Sequence, residues 1–88
     1  MTDPAQIVRS LSKAQRKALM AFAPELDSIL WCENAEDVKL AHDMMRMGLV
    51  DYIGAAGMVG MGLREFGLAV RAELEKMDDQ SLGHSHQV

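Results

Sequence analysis

Gly48 constrains this chain more than any other residue. It stands between a run with helical spacing, Asn34 to Met47, and an apolar, glycine-rich run that begins at Leu49. A glycine at that point supplies the left-handed residue that commonly ends a helix. The run before it is amphipathic. Val38, Ala41 and Met45 fall on one inner stripe at 100° per residue, and Glu36, Lys39, Asp43 and Arg46 on a solvated stripe of alternating sign. Leu40, Met44 and Met47 widen the apolar arc. That surplus means either that the helix packs on two sides or that it offers an apolar strip to a partner protein.

Beyond Gly48 the pattern changes period. Leu49-Val50-Asp51-Tyr52-Ile53 reads as a strand, Gly54-Ala55-Ala56-Gly57 as turn chemistry, and Met58-Val59-Gly60-Met61 as a returning strand. A two-stranded hairpin is expected. From Leu63 the apolar positions Leu63, Phe66, Val70, Leu74 and Met77 return to helical spacing, predicting a helix to about Lys76. Gly67 inside it costs about 1 kcal/mol relative to alanine, and close packing against a neighbour is the usual reason for keeping one.

The first third supports this centre. Asp3-Pro4 has the form of an N-cap and first helical residue. Ser12-x-x-Gln15 has capping-box form. Leu11, Ala14, Ala18, Ala21 and Phe22 share one helical face, and Lys13, Arg16, Lys17 and Met20 the opposite one. Pro24 stops that helix. Glu25 to Trp31 allows a two-turn helix with Leu26, Ile29 and Leu30 inward; Ile29 to Cys32 equally allows a short buried strand. The helix is the expectation adopted. Asn34 is a good N-cap for the helix that follows.

Length bounds the rest. Eighty-eight residues make one small domain, 1–77, with 78–88 read as a flexible tail. A domain this short buries only about 60–65% of its unfolded surface. Eight methionines against few aromatics give a loosely specified core, so self-association, as a homodimer, would help it. Net charge is −4 and unevenly spread. Arg9, Lys13, Arg16 and Lys17 oppose only Asp3 in the first twenty residues. Glu25, Asp27, Glu33, Glu36, Asp37, Asp43 and Asp51 then oppose only Lys39 and Arg46 up to Leu63. That balance argues against broad phosphate-backbone binding.

The single cysteine, Cys32, leaves no internal disulfide and fits a reducing, cytoplasmic setting. Met1 to Ser10 lacks the apolar region of a signal peptide, and the apolar run from Tyr52 to Leu63 is too short to span a bilayer. Gly54, Gly57, Gly60 and Gly62 lack the Gly-Lys-Ser/Thr of a phosphate loop. His84 and His86 on a tail do not form a closed metal site. No nucleophile–base–orienter set can be assembled, so neither an enzyme nor a cofactor is expected.

Two runs resemble a known family. Met47-Gly48-Leu49-Val50 resembles the Gly-Leu-Val step between recognition helix and wing in MarR-type transcription factors. Leu63-Arg64-Glu65-Phe66-Gly67-Leu68-Ala69-Val70-Arg71 resembles the Leu-Thr-x-x-Gly-x-Ala-Val-Arg run that follows the wing there. Leu11 to Arg16 is also similar to the opening of small phage and prophage proteins that carry both motifs. The resemblance covers roughly Leu11 to Lys76. It implies a small α+β winged helix-turn-helix, mostly helical, with a two-stranded wing. Arg64 replaces the family's capping threonine, the wing carries no charge, and the recognition helix opens on Glu36-Asp37.

Two functions follow from these residues. One is a DNA-binding transcriptional regulator of phage or prophage type, contacting duplex DNA through Lys13, Arg16, Lys17, Lys39, His42 and Arg46. The other is a protein-binding accessory, such as an inhibitor of a host defence or CRISPR complex. It would engage a basic host protein through its acidic middle and the strip Leu40, Met44 and Met47.

Overall fold

The computed structural model describes the backbone of residues 3–86 and the side chains of residues 3–77. Four helices and a three-stranded antiparallel sheet make an α+β fold among these residues. The order is α1 (Pro4–Ser10), α2 (Lys13–Ala21), β1 (Ile29–Trp31), α3 (Ala35–Arg46), β2 (Val50–Ala55), β3 (Met58–Leu63) and α4 (Glu65–His86).

Local chemistry sets most boundaries. The Asp3 carboxylate accepts from the Ala5 amide at 3.0 Å, with Pro4 in the first turn. Ser12 and Gln15 form a full capping box: the hydroxyl accepts from the Gln15 amide at 3.1 Å, and the Gln15 side-chain oxygen accepts from the Ser12 amide at 2.9 Å. The Asn34 side chain accepts from the Asp37 amide at 2.9 Å. Helix α3 ends as the glycine requires. Gly48 has φ +80°, its amide donates to Met45 O at 3.0 Å, and the Leu49 amide donates to Met44 O at 3.1 Å. Those two bonds are the Schellman arrangement, and they turn the chain directly into β2.

The sheet differs from the expected two-stranded hairpin. Residues 29–31 are a strand, not part of a short helix, and the sheet order is β1-β3-β2. Leu26 and Ile29, expected to point inward, are 53% and 49% exposed. The reason is non-local. The Asp27 amide donates to Leu63 O at 3.0 Å, the Leu63 amide to Ser28 O at 2.8 Å and the Cys32 amide to Val59 O at 2.8 Å. Satisfying the second side of β3 outweighs a helix of two turns, which is marginal by itself. Asp27, at φ +65°, makes the sharp entry. The hairpin turn is also tighter than expected. Ala55 pairs with Met58, leaving Ala56 (φ +51°) and Gly57 (φ +79°) as a two-residue loop of type I′ character.

The core lies between the helices and one face of the sheet. Val8, Leu11, Ala18, Leu19, Phe22, Ala41, Met44, Leu49, Val50, Met61, Leu63, Val70 and Leu74 are buried. Helix α3 is rotated from the expected stripe. Met44 is fully buried and Met45 is 38% exposed, whereas the sequence pattern placed Met45 inward. Leu40 and Met47 pack half-buried against the core. The wide apolar arc therefore serves two contacts, since α3 packs on the sheet and on α2. On α2, Ala14 and Ala21 are exposed and Leu19 takes the innermost position.

Helix α4 closes the fold over the Gly48 corner. A Cβ on Gly67 would lie 2.0 Å from Leu49 O, so only glycine permits this approach. The Arg64 amide donates to the same carbonyl at 3.1 Å. The helix runs past the expected end at Lys76 to His86. The side chains of the proposed tail, 78–88, fall outside the described residues, as do His84 and His86.

Candidate functional surface

The six cationic or imidazole residues singled out by the sequence lie on α2 and α3. Lys13, Arg16 and Lys17 line a hollow of about 340 Å³ between α2 and α4, floored by Met20, Leu74 and Met77. Arg16 is not a free cation there. Its guanidinium donates to Val8 O at 3.1 Å, closing the C-terminal end of α1, and its Nε is buried without a partner among the described residues. Lys39, His42 and Arg46 are exposed along α3. A second hollow, lined by Ser12, Gln15, Glu36, Asp37, Lys39 and Asp43 among others, brings the α3 carboxylates and Lys39 against the start of α2. The His42 ring lies 4.6 Å from the Tyr52 ring, tilted by 31°, which ties α3 to β2.

The strip assigned to a protein partner is mostly interior. Met44 belongs to the core, so it cannot reach a partner, and Leu40 and Met47 are half-covered. Besides the separate exposed side chains of Leu26, Met45, Tyr52 and Met77, exposed apolar surface lies on the outer face of the sheet. The register places Ile29 and Trp31 of β1, Met58, Gly60 and Gly62 of β3, and Asp51, Ile53 and Ala55 of β2 on that face. No helix covers it. Ile29, Trp31 and Met58 are 49%, 41% and 51% exposed.

Glycines in the central strand let the large side chains lie flat. A Cβ on Gly60 would meet the Trp31 ring at 2.8 Å, and one on Gly62 would meet Ile53 at 2.9 Å. The turn carries no charge, and Arg64, beside the sheet, lies 3.6 Å from Asp51. The sequence signal for this face was present in the alternation of Ile29, Leu30 and Trp31. It is only readable once β1 is known to be a strand.

Arg71 is the other residue that sequence reasoning left without a role. It is 7% exposed, its Nε donates to Phe22 O at 3.2 Å, and it is paired with Glu75 one turn on. The arginine of the run that resembles the MarR-type motif thus pins the end of α2 to α4. Cys32 is half-buried, and burial, then the Asp37 carboxylate, pushes its thiol above the ordinary range. That makes it a poor nucleophile at neutral pH. Among the described residues no cluster of His, Cys, Asp or Glu could hold a metal ion, and no helix is long and apolar enough to cross a membrane. Comparison with known family models, curated proteins and solved structures finds no match.

Proposed function

We propose that this chain is a non-enzymatic protein-binding module whose partner sits on the outer face of the sheet. The observation that carries this reading is the uncovered row Ile29, Trp31 and Met58. These three side chains leave on the order of 300 Å² of apolar surface in water, the lower end of the ~300–600 Å² that the largest patch on a monomer spans, a patch that is often functional. Burying it is worth roughly 7 kcal/mol at 25 cal/mol/Å². Association itself costs about 4–15 kcal/mol, so the face alone gives weak binding and a firm complex needs further contacts.

The rim indicates the partner's chemistry. Asp51 already faces Arg64, but Glu33 follows β1 and is exposed, so a protein with an apolar patch and a cation at the β1 end fits. A basic protein of a host defence complex is one such partner.

A specific observation also favours a DNA-binding regulator on a winged-helix scaffold. Lys39, His42 and Arg46 are exposed on the helix that precedes the β2–β3 hairpin. Two features weigh against it. Helix-turn-helix pairs are joined by about 3–4 residues, whereas α2 and α3 are separated by a segment containing β1. The hairpin tip also offers phosphates no cation.

The two readings separate in one experiment. The expected result is no retention of random duplex at low salt, with saturable binding of a basic partner that Met58→Glu abolishes. Duplex retention with a steep salt slope, lost on changing Lys39 and Arg46 to Glu, would overturn the protein-binding reading.

A further inference from the structure

Strand β1 is an edge. It pairs with β3 on one side, and β2 occupies the far side of β3. Ser28 O and Cys32 N are engaged with β3. By the alternation of an extended chain, the N–H and C=O groups of Ile29 and Trp31 point away from it. Such a row of main-chain groups is a template for another strand. Three residues make a short template, so main-chain pairing alone would hold nothing firmly.

A hollow lies beside this edge. It measures about 570 Å³, within the ~300–1,000 Å³ span of ligand pockets. Ala14, Ala18 and Ala21 of α2 form one wall, and Leu30, Leu40 and Met61 form the floor. The alanines matter because methyl groups leave the space between α2 and β1 open. The rim is polarised. Glu33 and Asp37 stand on the α3 side and Lys17 on the α2 side. Asp37 accepts from the Glu33 amide at 2.9 Å, which keeps the two carboxyl-bearing residues close together.

We propose that the groove between α2 and β1 takes an extended segment of a partner protein. The segment adds a strand to β1, placing alternate apolar side chains in the hollow and a lysine or arginine against Glu33 and Asp37. This deepens the protein-binding reading and rests on it. It supplies contacts that the sheet face alone lacks: main-chain hydrogen bonds for affinity and an apolar socket for specificity. A helical segment would fill the hollow but leave the Ile29 and Trp31 groups unpaired. The net acidity of the rim selects a basic segment over an acidic one.

The test uses synthetic peptides of about nine residues alternating valine with lysine, glutamate or serine. Binding is followed by the fluorescence of Trp31, the single tryptophan, and by protection of the Ile29 and Trp31 amides from exchange. The lysine peptide is expected to bind at least about ten-fold more tightly than the glutamate peptide, a difference of ~1.4 kcal/mol. Glu33→Lys should reverse that order. N-methylation of the amides in one alternate register of the peptide should abolish binding, and in the other leave it intact. Ala14→Arg, at an exposed helix position, should block the hollow. Met58→Glu should leave peptide binding unchanged, although it abolishes docking on the outer face, so the two proposals fail separately. No saturable binding by any peptide at about 1 mM, or binding indifferent to N-methylation in both registers, overturns the groove assignment.

Discussion

Replacing Gly67 with alanine tests how α4 closes the fold. The added Cβ would stand 2.0 Å from Leu49 O, 2.9 Å from Leu49 C and 3.0 Å from Leu63 Cδ1. Two of these atoms are backbone and cannot rotate aside. Restoring contact at 3.0 Å requires α4 to lift by at least about 1 Å, since packed interiors have no slack to absorb it. Lifting it stretches the Arg64 amide–Leu49 carbonyl bond, now 3.1 Å, and backs Val70 and Leu74 out of the core. Overpacking of this kind costs about 1–3 kcal/mol, and contact with rigid backbone places it at the upper end. Alanine's better helix propensity returns about 1 kcal/mol.

The net loss is therefore about 2 kcal/mol, or a fall in Tm of roughly 10 °C for a domain of this size. Thermal melting by circular dichroism, with urea unfolding as a second probe, reads it directly. Gly54→Ala is the control, because a Cβ there meets nothing within 4 Å; its melting temperature should hold or rise. A Gly67→Ala variant as stable as the parent would refute the close approach of α4 to the Gly48 corner.

Three other substitutions have worked directions. Ala56 holds a left-handed conformation at φ +51°, which costs an alanine about 1 kcal/mol, so Ala56→Gly should raise stability by about that amount in urea titration. Met44→Ala should cost about 2–5 kcal/mol while Met45→Ala costs little, and equal melting temperatures would place the inner face of α3 elsewhere. Arg71→Met leaves Phe22 O without its donor and should cost about 2 kcal/mol; Arg71→Lys should not rescue it fully, because one ammonium cannot reproduce the guanidinium's fork.

What the sequence made legible was what local chemistry decides. Ser12, Asn34 and Gly48 act within a turn of themselves, and Gly67 announced a close approach simply by sitting inside a helical pattern. Strand β1 could not be told from a helix because its partner lies about thirty residues away and its own run allows both. The rotation of α3 was hidden because adjacent methionines, Met44 and Met45, are interchangeable to a periodicity count. Only the simultaneous contact with α2 and the sheet chooses between them. Both points bear on the surface: of the α3 strip only Met44 is core while Leu40 and Met47 are half-buried, and the exposed face of the sheet includes a strand that the sequence allowed but that was set second to a helix.

The proposed docking of a protein on the sheet side of β1 and β3 is open to a decisive measurement. A photo-cross-linking side chain is placed at Met58, and separately at Lys39, and activated in living cells of the source organism. The expected result is a discrete protein adduct from position 58 and no nucleic-acid adduct from position 39. Nucleic acid joined at 39, with nothing joined at 58, would contradict it.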